Sequence, residues 1–328
     1  MSLISTADAV VHPWDAEDQL WQESVAAWFW DGESRAGGFF RFGIHPTHGV
    51  GRHNLFAFFA DGDRFRRVRS GVAIAPNPTE PLRVGSTWAG VDRDGRLQFS
   101  WAEPECEADF TMVEHFYPEH GFAGGGDDAL EGLIYGGHLE SSGRITGRLR
   151  VGSIEREIDA LVHRDRSWGP RDMSMVLTNR MMSGTFGAEL SFALNTIVLQ
   201  NGMVARVGFL ARDGVIEDVE DYVILPSIHL DGYSVEAGDA YVRTKEGEQL
   251  HISCRTVEGF LNPHDEYLCS EHISIARCGD RVGFCDNELT NNPRLGHAMP
   301  PHPLYVTDGD GLSSPPARPY RDWIGAHR

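Results

Sequence analysis

The feature that most constrains this chain is its punctuation. Turn-forming dipeptides recur at Asp61-Gly62, Asp94-Gly95, Ser142-Gly143, Asp213-Gly214, Glu246-Gly247 and Gly279-Asp280. Most of them separate segments that alternate or run apolar, which is the signature of β-hairpins. Phe39 to Ile44 alternates with a short aromatic run. Leu55, Ala57 and Phe59 share one face of an extended segment, and Phe56 and Phe58 share the other. A strand apolar on both faces belongs to a sheet covered on both sides, or to a barrel packed against a partner. Ile145, Gly147, Leu149 and Val151 alternate with Thr146, Arg148 and Arg150, and Ile154, Ile158, Ala160 and Val162 continue at period two. Val204 to Leu210 and Tyr222 to Leu225 are strand-like as well. Only Asp15 to Trp30 has room for a helix of more than two turns, and its Trp-rich end also reads as a strand. Alternating βαβ units are missing, which excludes a parallel sheet. The expected class is all-β and antiparallel.

Both halves have this hairpin texture, with no exact repeat. Trp168-Gly169-Pro170 breaks any strand, so a boundary is expected near Pro170 to Met173. That divides the chain into residues 1–170, residues 171–312 and an irregular Pro-rich tail, 313–328, containing Pro315, Pro316 and Pro319 and anchored by Trp323 and Ile324. Gly124 to Asp128 is a candidate mobile loop. An apolar pocket is expected where the two halves meet.

Composition narrows the partners. Lys plus Arg number 29 against 48 Asp plus Glu, a formal charge of -19. Such a surface repels nucleic-acid phosphates and anionic membranes, and disfavours an anionic substrate unless a local basic pocket receives it. No apolar run reaches the roughly 20 residues of a membrane span. Met1 to Pro13 lacks the basic-then-apolar pattern of a secretory signal. The five Cys are odd in number and form no CxxC, so free thiols in a reducing cytoplasm are expected. The composition is compatible with a homodimer.

The densest chemistry lies in His163-Arg164-Asp165-Arg166-Ser167-Trp168-Gly169-Pro170-Arg171-Asp172, after a strand ending at Val162. Alternation places Leu161, His163 and Asp165 on one face. A carboxyl beside an imidazole can hold or pass a proton, and a buried carboxyl can stay protonated near neutral pH. An indole can stabilise a cation by about 2 kcal/mol once water is excluded. Equally, Asp165 or Asp172 could pair with Arg171 to pin a corner, with Trp168 filling the core. His138 enters a strand just upstream and could line the same cavity or sit at an edge. Trp28-Phe29-Trp30 with Phe39, Phe40 and Phe42 reads as core or, at Trp30 and Phe42, as the lining of a greasy pocket.

Fifteen His raise the question of a metal. No His-x-His lies on a strand and no HExxH occurs. His45 and His48 flank Pro46, and His297 and His302 lie in a Pro-rich loop. Metal-ligand spacing is missing, so no metal is expected. GxSxG, P-loop and dinucleotide fingerprints are missing too, and no cofactor is expected.

The run from His138 through Gly143, Ile158 and Asp165 to Ser167-Trp168-Gly169-Pro170-Arg171-Asp172 resembles the carotenoid 1,2-hydratase (hydroxyneurosporene synthase) and kievitone hydratase superfamily. Trp21-Gln22-Glu23-Ser24 and the stretch from Arg41 to Phe59 also look like its bacterial members. The likeness covers most of the chain, and the Ser-Trp-Gly-x-Arg-Asp region is its most specific part. It implies two packed lipocalin-like (calycin-type) β-barrels or half-barrels, with His163, Asp165 and Trp168 in or beside the pocket. It also implies chemistry on an isoprenoid- or steroid-like alkene. In that reading Asp165 is the acid, His163 its partner, and Trp168 faces the cation; His138 and Arg166 support the site, and Arg171 with Asp172 holds the turn. Hydration is the leading expectation. A terpenoid or polyene cyclase, an isomerase, or a non-catalytic carrier of an apolar ligand are the alternatives. Arg166 stands where family members commonly carry His, and a guanidinium cannot act as an acid near neutral pH.

Overall fold

Hairpin follows hairpin through the chain, and the strands close into two antiparallel units. The structure, a computed structural model, describes residues 11–78, 81–116, 136–264, 267–292 and 305–314. The first unit contains β1 (Trp21–Asp31), β2 (Ala36–His45), β3 (Val50–Phe59), β4 (Arg64–Ala73), β5 (Leu82–Val84), β6 (Thr87–Val91), β7 (Leu97–Glu103), β8 (Cys106–Glu114), β9 (Gly137–Val151) and β10 (Ile154–Pro170). The second contains β11 (Val176–Thr185), β12 (Ser191–Leu199), β13 (Val204–Arg212), β14 (Val215–Ile228), β15 (Val235–Thr244), β16 (Gln249–Pro263), β17 (Leu268–Cys278) and β18 (Arg281–Asn291). These eight form a closed barrel, whereas β1–β10 form a curled sheet that β19 (Gly311–Ser313) extends beside β4. The all-β expectation holds, as one closed barrel and one half-barrel.

Five of the six expected turns fall between paired strands; Ser142-Gly143 instead lies inside β9. A Cβ at Gly143 would sit 2.3 Å from the Val113 carbonyl oxygen, so this glycine permits close approach of β8. The helical option for Asp15 to Trp30 is overturned. Residues from Trp21 onward form β1, hydrogen-bonded to β10 on one edge and β2 on the other. A central strand covered on both faces is apolar throughout, and that pattern alone does not separate it from a buried helix. The loop candidate Gly124 to Asp128 lies outside the described residues, as does the tail from Pro315.

Side-chain alternation gives the first unit two apolar faces. Val25, Ala27 and Phe29 of β1, with Phe40 and Phe42 of β2, fill the interior of the curled sheet. Trp28, Trp30, Phe39, Phe56 and Phe58 point the other way and meet Met181, Phe260, Ile273 and Phe284 from the outside of the barrel. The Phe260 ring stacks on Phe56 with centroids 4.3 Å apart, and lies 5.1 Å from Phe39. An Arg64–Glu258 ion pair with both side chains fully buried crosses the same seam. Arg66 Nε also donates to the Leu261 carbonyl at 2.8 Å. The two units are therefore joined by a core of their own rather than by a linker.

The seam predicts a specific energetic cost. Phe260→Ala removes a ring that is 1 % exposed and should lower the free energy of unfolding by roughly 3–5 kcal/mol, the usual cost of such a cavity. Urea denaturation followed by tryptophan fluorescence measures it. A change within about 0.5 kcal/mol, the range of neutral surface substitutions, would show that the seam does not carry stability.

Candidate active site

Register decides which residues reach the seam. The β1–β10 pairing sets Ala26 opposite Asp165 and Trp28 opposite His163. The β9–β10 pairing sets Glu140 opposite Asp165, Ser142 opposite His163, and His138 opposite Ser167. Directly opposed residues share a face, so His138, Glu140, His163, Asp165 and Trp28 all point toward the barrel. Residues of opposite parity point into the curled sheet. Arg164 is bound by Glu114, with Nη2 to Oε1 at 2.6 Å, and Arg166 by Glu23 at 2.5 Å.

This parity corrects three expectations. Trp168 does not line the cavity: its ring stacks on His12 at 3.9 Å with the planes 4° apart, on the far side of the sheet. Gly137 is needed there, because a Cβ would lie 2.2 Å from the indole. Arg166 is likewise turned away from the cavity and engaged by Glu23. Phe42 sits in the core of the first unit, stacked on Phe40, and Trp30 stacks on Phe58 in the seam without reaching the cavity wall. Asp172 accepts a hydrogen bond from the Ser174 amide at 2.9 Å, a local turn. Among the described residues no ion pair joins Arg171 to Asp165 or Asp172.

Between sheet and barrel lies an inner chamber of about 90 Å³. Its apolar lining includes Trp28 and Phe39 from the sheet and Met181 and Ile197 from the barrel. Four carboxyls share the space, Glu140 and Asp165 from the sheet and Glu271 and Glu288 from the barrel. The expected greasy pocket is thus partly acidic. Asp165 Oδ1 is buried there without a hydrogen-bond partner, as are the side-chain oxygens of Asn179 and Asn195.

The carboxyls are held in opposite states. Glu140 Oε1 is 3.0 Å from His138 Nε2, and Oε2 is 3.4 Å from His163 Nε2. His163 is itself fully buried and oriented by Ser142 Oγ at 2.8 Å from Nδ1, so it meets the chamber through Glu140. Burial alone would raise the Glu140 carboxyl, but the hydrogen bond from His138 and the close approach of His163 outweigh it and bring it to about 2. Across the chamber, burial and then the neighbouring Glu288 push Glu271 up to about 8. Glu271 accepts from Trp28 Nε1 at 3.0 Å and from Asn262 Nδ2 at 2.7 Å. Asp286 and Glu288 are raised as well, each mainly by burial.

Cys269, Glu271 and Glu288 bring one ligand atom each within 4.8 Å of one another, a spacing that a cation would fit. Both Glu271 oxygens already accept hydrogen bonds from protein donors, including the Cys269 thiol at 3.5 Å. The trio is thus tied into a network of protein hydrogen-bond donors. Sequence spacing brought forward none of these three residues. Cys269-x-Glu271 resembles no motif, and Glu288 joins it only through the β17–β18 pairing. A buried Glu at strand parity beside a second Glu on the partner strand was the available signal.

The chamber opens past Arg41, Arg171, Met173, His264 and Tyr267 into an outer vestibule of about 300 Å³. Only the vestibule lies within the usual volume range of ligand pockets, roughly 300–1,000 Å³.

The chain belongs to the family described as Domain of unknown function (DUF7064), which it matches over residues 5–293. No curated protein sequence matches it significantly. Among solved structures, kievitone hydratase from Nectria haematococca superposes with a TM-score of 0.59 at 10 % identity, covering 88 % of this chain and 95 % of that one. CghA in complex with Sch210972 superposes at 0.58 with 14 % identity, covering 85 % and 90 %. A Nitrosomonas europaea protein provisionally assigned as AttH gives 0.57 at 11 %, covering 89 % and 99 %. At these identities the likeness is one of fold, and the barrel-and-half-barrel fold that the resemblance implied is borne out.

The opposed carboxyls predict a pH dependence of stability. Glu271 rises from an ordinary 4.5 to about 8 on folding. Its contribution is complete below the unfolded value and is lost as pH climbs toward 8. Glu140 works in the other direction: its contribution is present above 4.5 and is lost as pH falls toward about 2. Glu271→Gln should therefore flatten the loss of stability seen between about pH 5 and 8 in chemical denaturation, leaving the acid limb unchanged. Identical slopes in parent and variant would show Glu271 ionised throughout.

Proposed function

We propose that this member of the DUF7064 family is an enzyme that protonates the alkene of a hydrophobic, isoprenoid- or steroid-like substrate in the seam between sheet and barrel, with hydration as the outcome. One observation carries the reading: two buried carboxyls face one chamber in opposite surroundings, Glu140 between two imidazoles and brought down to about 2, Glu271 beside Glu288 and pushed up to about 8. Such divergence is how a site holds a proton donor and a fixed negative charge together at neutral pH. A carrier of an apolar ligand has no use for buried carboxyls, whose desolvation is costly.

In this mechanism the protonated Glu271 gives its proton to one alkene carbon, and the π electrons form the new C–H bond. The neighbouring carbon becomes a cation. The Trp28 face lies in the chamber wall, where Trp168 was expected, and supplies cation–π stabilisation of up to about 2 kcal/mol. The ionised Glu140, fixed by His138 and His163, adds electrostatic stabilisation that needs no reorganisation. Asp165, half-buried with one oxygen unpartnered, is placed to orient the attacking water. Water attacks the cation and its surplus proton returns to the carboxyl cluster, so the protein ends as it began. A hydratase among the proteins of similar fold accords with water addition. Cyclisation is the outcome when the substrate itself displaces that water.

Turnover of farnesol or geranylgeraniol tests the assignment. Glu271→Gln keeps the side chain's volume and loses its transferable proton, so turnover should fall about 10²–10⁴-fold, the usual contribution of general acid catalysis, while binding changes little. In deuterated, ¹⁸O-labelled water the product should carry one deuterium on carbon and one labelled oxygen. Deuterium without labelled oxygen would replace hydration by cyclisation or isomerisation. A folded Glu271→Gln protein working at the parental rate would sink Glu271 as the donor and return the role to Asp165, tested by Asp165→Asn.

A further inference from the structure

The vestibule reverses the charge of everything around it. The chain as a whole carries -19, and the inner chamber is lined by carboxyls, yet no Asp or Glu lies among the described residues lining the vestibule. Three guanidiniums do: Arg41 from β2, Arg52 from β3, and Arg171 just after β10. Arg41 has a neutral partner, Gln22 Oε1 at 3.3 Å. Arg52 Nε donates to Asn54 Oδ1 at 3.1 Å. Arg171 Nε is buried and makes no hydrogen bond, although the Arg171 backbone is pinned to Leu20 at 3.0 Å. Among the described residues, neither Arg41 nor Arg171 forms an ion pair.

The three cations act on one another. Burial and then Arg171 bring Arg41 down to about 10, with Arg52 adding to the effect. Burial and the same three guanidiniums hold His264 well below its ordinary value, so it faces them as a neutral ring stacked on Tyr267 at 4.3 Å. Like charges gathered in a half-buried space cost stability. A protein retains such an arrangement where an anion completes it, and the planar guanidinium fork suits a carboxylate or similar delocalised oxyanion.

We propose that the vestibule binds the anionic headgroup of the substrate, a carboxylate or equivalent oxyanion gripped by Arg41 and Arg171, while its apolar chain enters the acidic chamber. The substrate class is then an amphiphilic acid rather than a neutral hydrocarbon. Approach to so acidic a protein is repelled at long range, and the three arginines form the local basic pocket that such a ligand requires. The polarity also fixes direction: the ionised Glu140 in the chamber repels the headgroup and leaves the chain as the end that enters. This inference rests on the proposed site solely in taking the vestibule as its entrance.

Equilibrium dialysis of farnesoate, farnesol and methyl farnesoate at pH 7.5 tests it without any turnover. The parent protein should bind farnesoate roughly tenfold or more tightly than either neutral analogue, the factor that one charge-assisted hydrogen bond supplies. Raised salt should erode that preference. Arg171→Gln and Arg41→Gln, each with a melting temperature near the parent's, should lose the preference while farnesol binding stays unchanged. Equal affinity of the parent for all three ligands overturns the proposal, and this result needs no variant to fold. A farnesoate preference that survives both substitutions places the anion elsewhere and overturns it too. Loss of the preference leaves the farnesol labelling experiment on Glu271 untouched, so the two readings fail separately.

Discussion

The site depends on burying charge between two sheets that each have a complete core already. A carboxyl removed from water must be paired, hydrogen-bonded or protonated, and the seam between the curled sheet and the barrel contains all three solutions. Glu258 is paired with Arg64, Glu140 is bracketed by two imidazoles, and Glu271 accepts from an indole and an amide while burial pushes it up. Phe56, Phe260 and their neighbours exclude water from the same seam. Without that apolar packing the carboxyls would be solvated and alike; with it they differ.

The result is a site with a gradient. The inner chamber holds four carboxyls beside aromatic residues, and the vestibule outside it is cationic. Arg41 and Arg171 line both spaces. A ligand crossing from one to the other passes from guanidinium to carboxyl surroundings, which orients any molecule whose ends differ in charge. Positioning of this kind comes from fixed groups and needs no moving part.

The sequence carried the sheet side of the site. Alternation through β10 set Leu161, His163 and Asp165 on one face, and Asp165 does reach the chamber. His138 does so as well, and His163 stands one residue behind, against Glu140. Trp168 and Arg166 were drawn into the same picture because they are near Asp165 in sequence. Strand parity sends them to the opposite face, where His12 and Glu23 receive them. Trp28, read only as part of an aromatic run, is the indole that lines the chamber.

The barrel side was invisible for a different reason. Glu271 and Glu288 are more than one hundred residues from Asp165, and each occupies an ordinary outward position on its own strand. The β17–β18 hairpin is itself local, and only docking of the barrel on the curled sheet turns that outward face into an interior one. The sequence by itself determined the antiparallel hairpins, the two-faced apolar strands of the first unit and the side on which each residue of β10 lies, because these follow from local alternation and turn chemistry. The tertiary structure alone decided which carboxyls lost their water, since desolvation is a property of what packs against a face and not of the strand that bears it.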